Sequence, residues 1–307
     1  MSGSSKKVIY AALIGNTLVA LTKFVAAALT GSSAMLSEGI HSLVDTGNQV
    51  LLLYGLRQAR KPPDAHFPFG HGKEIYFWSF VVAILVFALG AGVSIYEGIE
   101  HLRHPVVIEN PTINYAVLGV AMLFEGAAWY FALREFSGSK GKLGYFEAVR
   151  RGKDPTTFVV LFEDSAAMLG LMVAFAGIAL SQLTGLAWFD GLASVVIGLL
   201  LAATAMWLAV ETKGLLIGES ANRWIVEGVR ELVASVDDVE HVNDVLTMHM
   251  GPDYILVTIS VDLSNHVSAV AVEKIAAGLD CEIRANYANV KRVFVEARAR
   301  DATQAQA

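Results

Sequence analysis

The chain has 307 residues, 54% of them hydrophobic and only 17% charged, with a mean hydropathy of +0.51. These values lie far from those of an ordinary soluble domain and point to a membrane protein. A formal net charge of -6 argues against a nucleic-acid partner. The single cysteine, Cys281, excludes an intrachain disulfide and a thiolate-rich zinc site.

In chain order, the first predicted element is a span over Val8–Thr30, behind a short polar stretch carrying Lys6 and Lys7. It is too long for a signal-peptide core and lacks a convincing cleavage site, so it reads as a retained helix. Further segments long enough to cross a bilayer, at roughly 20 residues each, run over Met35–Leu56, Ile75–Tyr96, Ile113–Leu133, Thr157–Leu183 and Phe189–Val210. The third is free of charge, whereas Glu163 and Asp164 interrupt the fifth. Basic residues set the orientation. Arg57, Arg60, Lys61 and Lys73 follow the second span, and Arg134, Lys140, Lys142, Arg150, Arg151 and Lys153 follow the fourth. The opposite side has no Lys or Arg in the Gly31–Ala34 and Ser181–Trp188 turns and only Arg103 in the Glu97–Pro111 connection. Both termini are therefore expected in the cytoplasm.

After Glu211 the composition changes. Ala221–Ser235 reads as an amphipathic helix, Val245–Met250 and Ile255–Asp262 as strands joined by Gly251-Pro252-Asp253, Val267–Gly278 as a helix and Lys291–Ala297 as a last strand. Ile255, Val257, Ile259 and Val261 alternate with Thr258, Ser260 and Asp262, as in a half-buried strand. The fold class expected is membrane α-helical, with six transmembrane helices over 1–212. A small cytoplasmic α+β domain suited to dimerisation follows over 213–300, and then a disordered tail over 301–307.

The second span carries Glu38, His41, Asp45 and Asn48, which steps of three and four residues place on one helix face. An ionisable side chain at membrane depth costs about 2.5–3.5 kcal/mol on insertion scales, so such a stripe faces a partner helix or a water-filled cavity. His41 and Asp45, one turn apart, have the spacing of two ligands for one divalent cation. On the fifth span, Asp164 is the ion-facing choice. Glu163 diverges from it by about 100° and either completes the site, supports it or pairs with Lys23. The competing structural reading makes Lys23 the partner of Glu163, Glu38 or Asp45 in buried ion pairs, a weak source of stability. One imidazole with two or three carboxylates suits Zn²⁺, with Fe²⁺ and Mn²⁺ close behind. A metal must displace the imidazole proton to bind, and a site that exchanges metal for protons on alternate sides is an antiporter.

The run Gly15-Asn16, Lys23, Thr30-Gly31-Ser32, Ser37-Glu38, His41-Ser42 and Asp45 resembles the opening of cation diffusion facilitator transporters. So do Phe69-Gly70-His71-Gly72-Lys73, Phe162-Glu163-Asp164 and Phe189-Asp190-Gly191. The Leu161–Asp164 stretch with Met248–Tyr254 looks most like the branch containing zinc transporter nine. The resemblance implies six helices followed by a ferredoxin-like domain, and proton-coupled export of Zn²⁺ or a similar cation by a homodimer with one site in each protomer; the expected location is a bacterial inner membrane. No prosthetic group is implied, since the metal is cargo and H⁺ the coupling ion. His41, Asp45 and Asp164 match family ligands, but Val160 stands where the remaining ligand is expected, leaving Glu163, Asn16, Asn48 or water for the fourth position. The resemblance also makes His66 and His71, in the loop after the second span, weaker metal candidates. His101 and His104 read as solvated, His241 and His266 as dispersed, and His249 as a sheet-packing residue. An intramembrane metallohydrolase would require more zinc ligands and a separate base. A receptor or scaffold would leave the polar stripe unexplained.

Overall fold

The computed structural model describes residues 3–108, 110–139, 144, 145, 148 and 155–300. Lys140, Lys142, Arg150, Arg151, Lys153 and the 301–307 tail lie outside the described residues. The chain divides into two compact units, Met1–Arg57 with Ile75–Lys213, and Gln58–Glu74 with Gly214–Ala307.

The first unit is helical. Its elements are α1 (Gly3–Thr30), α2 (Ser33–Ala59), α3 (Glu74–Leu85), a π-helical turn (Val86–Ala91), α4 (Gly92–Arg103), α5 (Pro111–Ser139), α6 (Pro155–Thr184) and α7 (Trp188–Ile217). Helix α1 begins five residues before the sequence-predicted start, so Lys6 and Lys7 lie within the helix. Four helices among the described residues are long and apolar enough to cross a membrane: Glu74–Arg103, Pro111–Gly138, Phe158–Thr184 and Trp188–Ile217. Asn16–Thr30 is a shorter apolar helix. Helix α2 is 27 residues long, but its polar stripe dilutes its apolar character.

Helix α1 shows how such a helix is built inside out. Leu18, Leu21, Val25 and Leu29 are all more than half exposed, whereas Ala20, Lys23, Ala26, Ala27 and Thr30 are buried. The apolar face looks outward and the polar and small residues look in, which suits lipid as the outer solvent. Gly31 ends the helix at φ +70°, a left-handed conformation that costs glycine little; its N–H donates to the Ala27 carbonyl at 2.9 Å. Ser32 then caps α2, its Oγ accepting from the Met35 N–H at 3.2 Å. Asp190 at the start of α7 completes the cap. It accepts from Ser32 Oγ at 2.6 Å and from the N–H groups of Ser33 and Ala34 at 2.6 and 3.4 Å. A carboxylate at a helix N-terminus is favourable both as acceptor and against the helix dipole.

The expected third span is one continuous helix over Glu74–Arg103 with a π turn inside it, across which the Gly92 N–H approaches both the Leu89 and Phe87 carbonyls. Helix α4 then packs closely on α7. A Cβ at Gly98 would stand 2.6 Å from Val195 N and 2.8 Å from the Gly191 carbonyl oxygen, so only glycine lets these backbones approach.

The second unit runs α8 (Arg223–Ala234), β1 (Val239–Gly251), β2 (Tyr254–Leu263), α9 (Ala269–Asn286) and β3 (Val290–Ala297), the α-β-β-α-β order predicted. Strand β2 is central, antiparallel to β1 and parallel to β3. Helix α9 supplies the crossover that a parallel pair requires. Ile255, Val257, Ile259 and Val261 point into a core with Ile225, Val229 and Val233 of α8 and Leu279 and Ile283 of α9. The segment 58–74 belongs to this unit. Phe69 meets Phe294 edge to face with ring centroids 6.5 Å apart, and Gly72 lies against the Met250 carbonyl oxygen and Gly251.

Overpacking a tight contact costs roughly 1–3 kcal/mol. Gly98→Val is therefore expected to lower the thermal denaturation midpoint of the detergent-solubilised protein. Gly126→Ala, whose Cβ would meet only Met168 at 3.8 Å, is expected to leave it unchanged.

Candidate cation site

The inward faces of α1, α2, α5 and α6 bring the polar residues together. Lys23 is fully buried, and a buried ammonium persists only with close compensation. Its Nζ donates to Glu38 Oε2 at 3.1 Å, Ser42 Oγ at 2.7 Å and Glu125 Oε1 at 2.7 Å. These bonds tie α1 to α2 and α5. Of the partners expected for Lys23, Glu38 is found. Glu163 is not: it accepts instead from Asn48 Nδ2 at 2.5 Å, further along α2 than the Glu38 and Ser42 side chains that Lys23 reaches. Nor is Asp45 bonded to Lys23; it faces His41, with Nδ1 and Oδ1 3.3 Å apart.

Beside this network lies a cavity of about 280 Å³. Asp45 and Ser42 of α2, Glu125 of α5, and Glu163, Asp164 and Val160 of α6 line it, with Asn16 and Gln49, themselves joined Nδ2 to Oε1 at 3.2 Å. Asp45 and Glu163 bring their carboxyl groups to the same cavity. Two such groups repel unless a proton or cation lies between them. Asp45 and Asp164 both line this cavity. The angle argument against Glu163 is relaxed, since a cavity wall admits both neighbours where a single point would not. His41 and Asn48 stand behind this wall, His41 reaching it only through Asp45. The imidazole is 1% exposed and its nitrogens make no hydrogen bond. Among the described residues no group of three His, Cys, Asp or Glu side chains is arranged to hold a metal ion, so gathering ligands around one requires side-chain movement.

The loop histidines have local employment. His71 Nε2 lies 2.9 Å from Asp64 Oδ2 and its ring packs on Phe67 at 4.5 Å. The His71 side-chain hydrogen bond first, and then the Phe67 N–H, holds the Asp64 carboxyl below the usual carboxylate range. Depressed on folding, Asp64 favours the loop above its unfolded value and loses that contribution as pH falls through the folded one. His66 contributes its backbone N–H to Asp64 Oδ1 at 2.8 Å. His104 is exposed, with a side-chain accessibility of 77%, while His101 is only 19% exposed and lies 4.0 Å from Asp190 Oδ2. His249 is buried in β1, in keeping with a packing role, and His241 and His266 are exposed.

Sequence reasoning passed over Glu125, although the signal was available: it is the sole charged residue in the predicted Ile113–Leu133 span, and a lone intramembrane carboxylate is a functional candidate by default. Gln49 was missed too, being an ordinary polar residue with no charge to draw attention, and Ser42 was read only as part of the family pattern.

Fold and cavity together define a helical membrane protein with an acidic interior. The pattern of the cation efflux transmembrane domain matches residues 9–217, and the chain belongs to that family, the cation diffusion facilitators. It is 37% identical over 270 residues to the proton-coupled zinc antiporter SLC30A9, mitochondrial, of Xenopus laevis, covering 87% of this chain and 48% of that one. It is 32% identical over 250 residues to metal tolerance protein C4 of Arabidopsis thaliana, covering 81% and 55%. With the manganese efflux system protein MneP of Bacillus subtilis it shares 23% over 298 residues, 95% of both chains. The chain spans about half the length of the zinc antiporter relatives it matches.

Removing one partner from a buried ion pair costs about 3–5 kcal/mol, because the other charge is left uncompensated. Lys23→Met is expected to destabilise the protein on that scale in thermal unfolding. Adding Glu38→Gln should recover part of the loss.

Proposed function

We propose that the chain is a proton-coupled antiporter that exports a divalent transition-metal cation, Zn²⁺ foremost, through the cavity between α2 and α6. The observation that carries this reading is the convergence of Asp45, Glu163 and Asp164 on one cavity. Asp45 and Asp164 act as direct ligands. His41, one turn from Asp45, joins them when its side chain swings forward, and Glu163, held by Asn48, supplies or supports a further position, with Asn16 at the rim. Coupling follows from competition, since metal and protons require the same lone pairs. The cavity lined by Asp45, Glu163 and Asp164 takes one or the other.

Six spans, including α1 and the polar α2, a ferredoxin-like second unit, homodimeric assembly and cytoplasmic termini complete the proposal, with the bacterial inner membrane as its expected location. The asymmetry of Lys and Arg supports the orientation. The intramembrane hydrolase alternative has no support from the named relatives, which are an antiporter, a tolerance protein and an efflux protein. Mn²⁺ remains the second cargo, favoured by the relative named for manganese efflux; Fe²⁺ fits the same ligand chemistry.

In proteoliposomes with an imposed pH gradient, Zn²⁺ is expected to drive proton flux that Asp45→Ala and Asp164→Ala abolish while the protein remains folded. Normal flux in either variant would sink the site assignment. Glu163→Gln is expected to weaken metal binding by about 10–100-fold, the range for groups that orient ligands, or as much as Asp164→Asn if it ligates directly. Replacing the imagined nitrogen ligand by oxygen in His41→Asp should favour Mn²⁺ over Zn²⁺ in competition assays. An unchanged ranking would show that the imidazole never touches the metal.

A further inference from the structure

We infer that Glu125 of α5 is a cargo-contacting carboxylate that occupies, from a different helix, the ligand position that Val160 leaves vacant on α6. The inference rests on the antiporter reading above and adds to it a residue on a helix to which that reading assigns none. The two oxygens of Glu125 have different surroundings. Oε1 is fixed by Lys23 at 2.7 Å, whereas Oε2 is buried and makes no hydrogen bond. The side chain lines the same cavity as Asp45, Asp164 and Val160.

An unpaired buried carboxylate oxygen is costly to leave without a partner, and this one stands beside a space that its neighbours leave rich in negative charge. Lys23 anchors the group in place while leaving one oxygen for an incoming cation, much as an outer hydrogen bond orients a metal ligand. The valine, one helical turn before Asp164, offers no lone pair. Glu125 restores the missing donor as oxygen, so it also bears on which metals are accepted.

The test is zinc titration of the full-length protein in detergent by calorimetry, with Mn²⁺ as competitor. Glu125→Gln retains an acceptor for Lys23 and leaves the ammonium paired with Glu38. It is expected to fold and to bind zinc at least about tenfold more weakly, and Val160→Asp added to it is expected to restore most of the affinity. Wild-type affinity in Glu125→Gln, alongside a loss in Asp164→Asn, would overturn the inference and leave the antiporter reading intact. A weakened Glu125→Gln that Val160→Asp does not rescue would make Glu125 a structural partner of Lys23 and also overturn it. Should Glu125→Gln fail to fold, Glu125→Asp, which keeps the charge but draws it back by one methylene, is expected to show a comparable loss; unchanged affinity there counts against the inference. If the wild type binds no zinc or manganese, or Asp164→Asn binds normally, it is the antiporter reading that fails.

Discussion

A charge taken out of water must be compensated where it stands, and the helical unit is arranged around that requirement. Lys23 faces inward from α1 and gathers Glu38, Ser42 and Glu125 around its ammonium. Three helices are thereby held in register by one side chain, in a medium where apolar surface gives helices little reason to associate. Compensation is also incomplete: Lys23 pairs with Glu38 and Glu125, while Asp45, Glu163 and Asp164 line the adjoining cavity, which no Lys or Arg lines among the described residues. In the proposed antiporter this surplus of carboxylates is what attracts cations, whether metal ions or protons. A balanced set would be a structural ion cluster and nothing more.

At the other end of α2, Asp190 solves a different electrostatic problem. The first N–H groups of α2 have no helical acceptor, and the Asp190 carboxylate together with Ser32 meets them. Further along α7, Gly191 and Gly198 admit close approach of α4. Helix α2 is thus pinned at its N-terminus to α7 and near its middle to α1 and α5. The residues that resemble family motifs divide accordingly: Thr30-Gly31-Ser32 and Asp190 build helix junctions, while Asp45 and Asp164 look into the cavity.

Much of this was legible in the sequence. The stripe on α2 announced itself because ionisable residues are rare in apolar helices, and the alternation Ile255, Val257, Ile259, Val261 identified the central strand and its buried face. The order of the second unit followed from turn chemistry and periodicity. What escaped was set by contacts between helices that sequence spacing does not encode. Nothing local distinguishes Glu163 from Glu38 as the partner of Lys23, since the choice depends on how α1 and α6 line up along α2. The π turn at Val86–Ala91 leaves no mark in an uninterrupted apolar run. Glu125 was visible as a lone charge, but its connection to Lys23 spans 102 residues and needed the tertiary structure. Residues 58–74 read as a solvated loop, whereas backbone contact between Gly72 and Gly251 joins them to the second unit.

The central claim is that metal and protons compete for one set of carboxylates in this cavity. Counting protons released as the metal binds addresses it most directly, by calorimetric titration of zinc into the purified protein in buffers of different ionisation enthalpy. The account requires at least one proton released per zinc bound, with the release diminished when Asp45 and Glu163 are replaced together by Asn and Gln. Zinc binding with no buffer dependence would contradict it, because the metal would then occupy a site that holds no exchangeable proton.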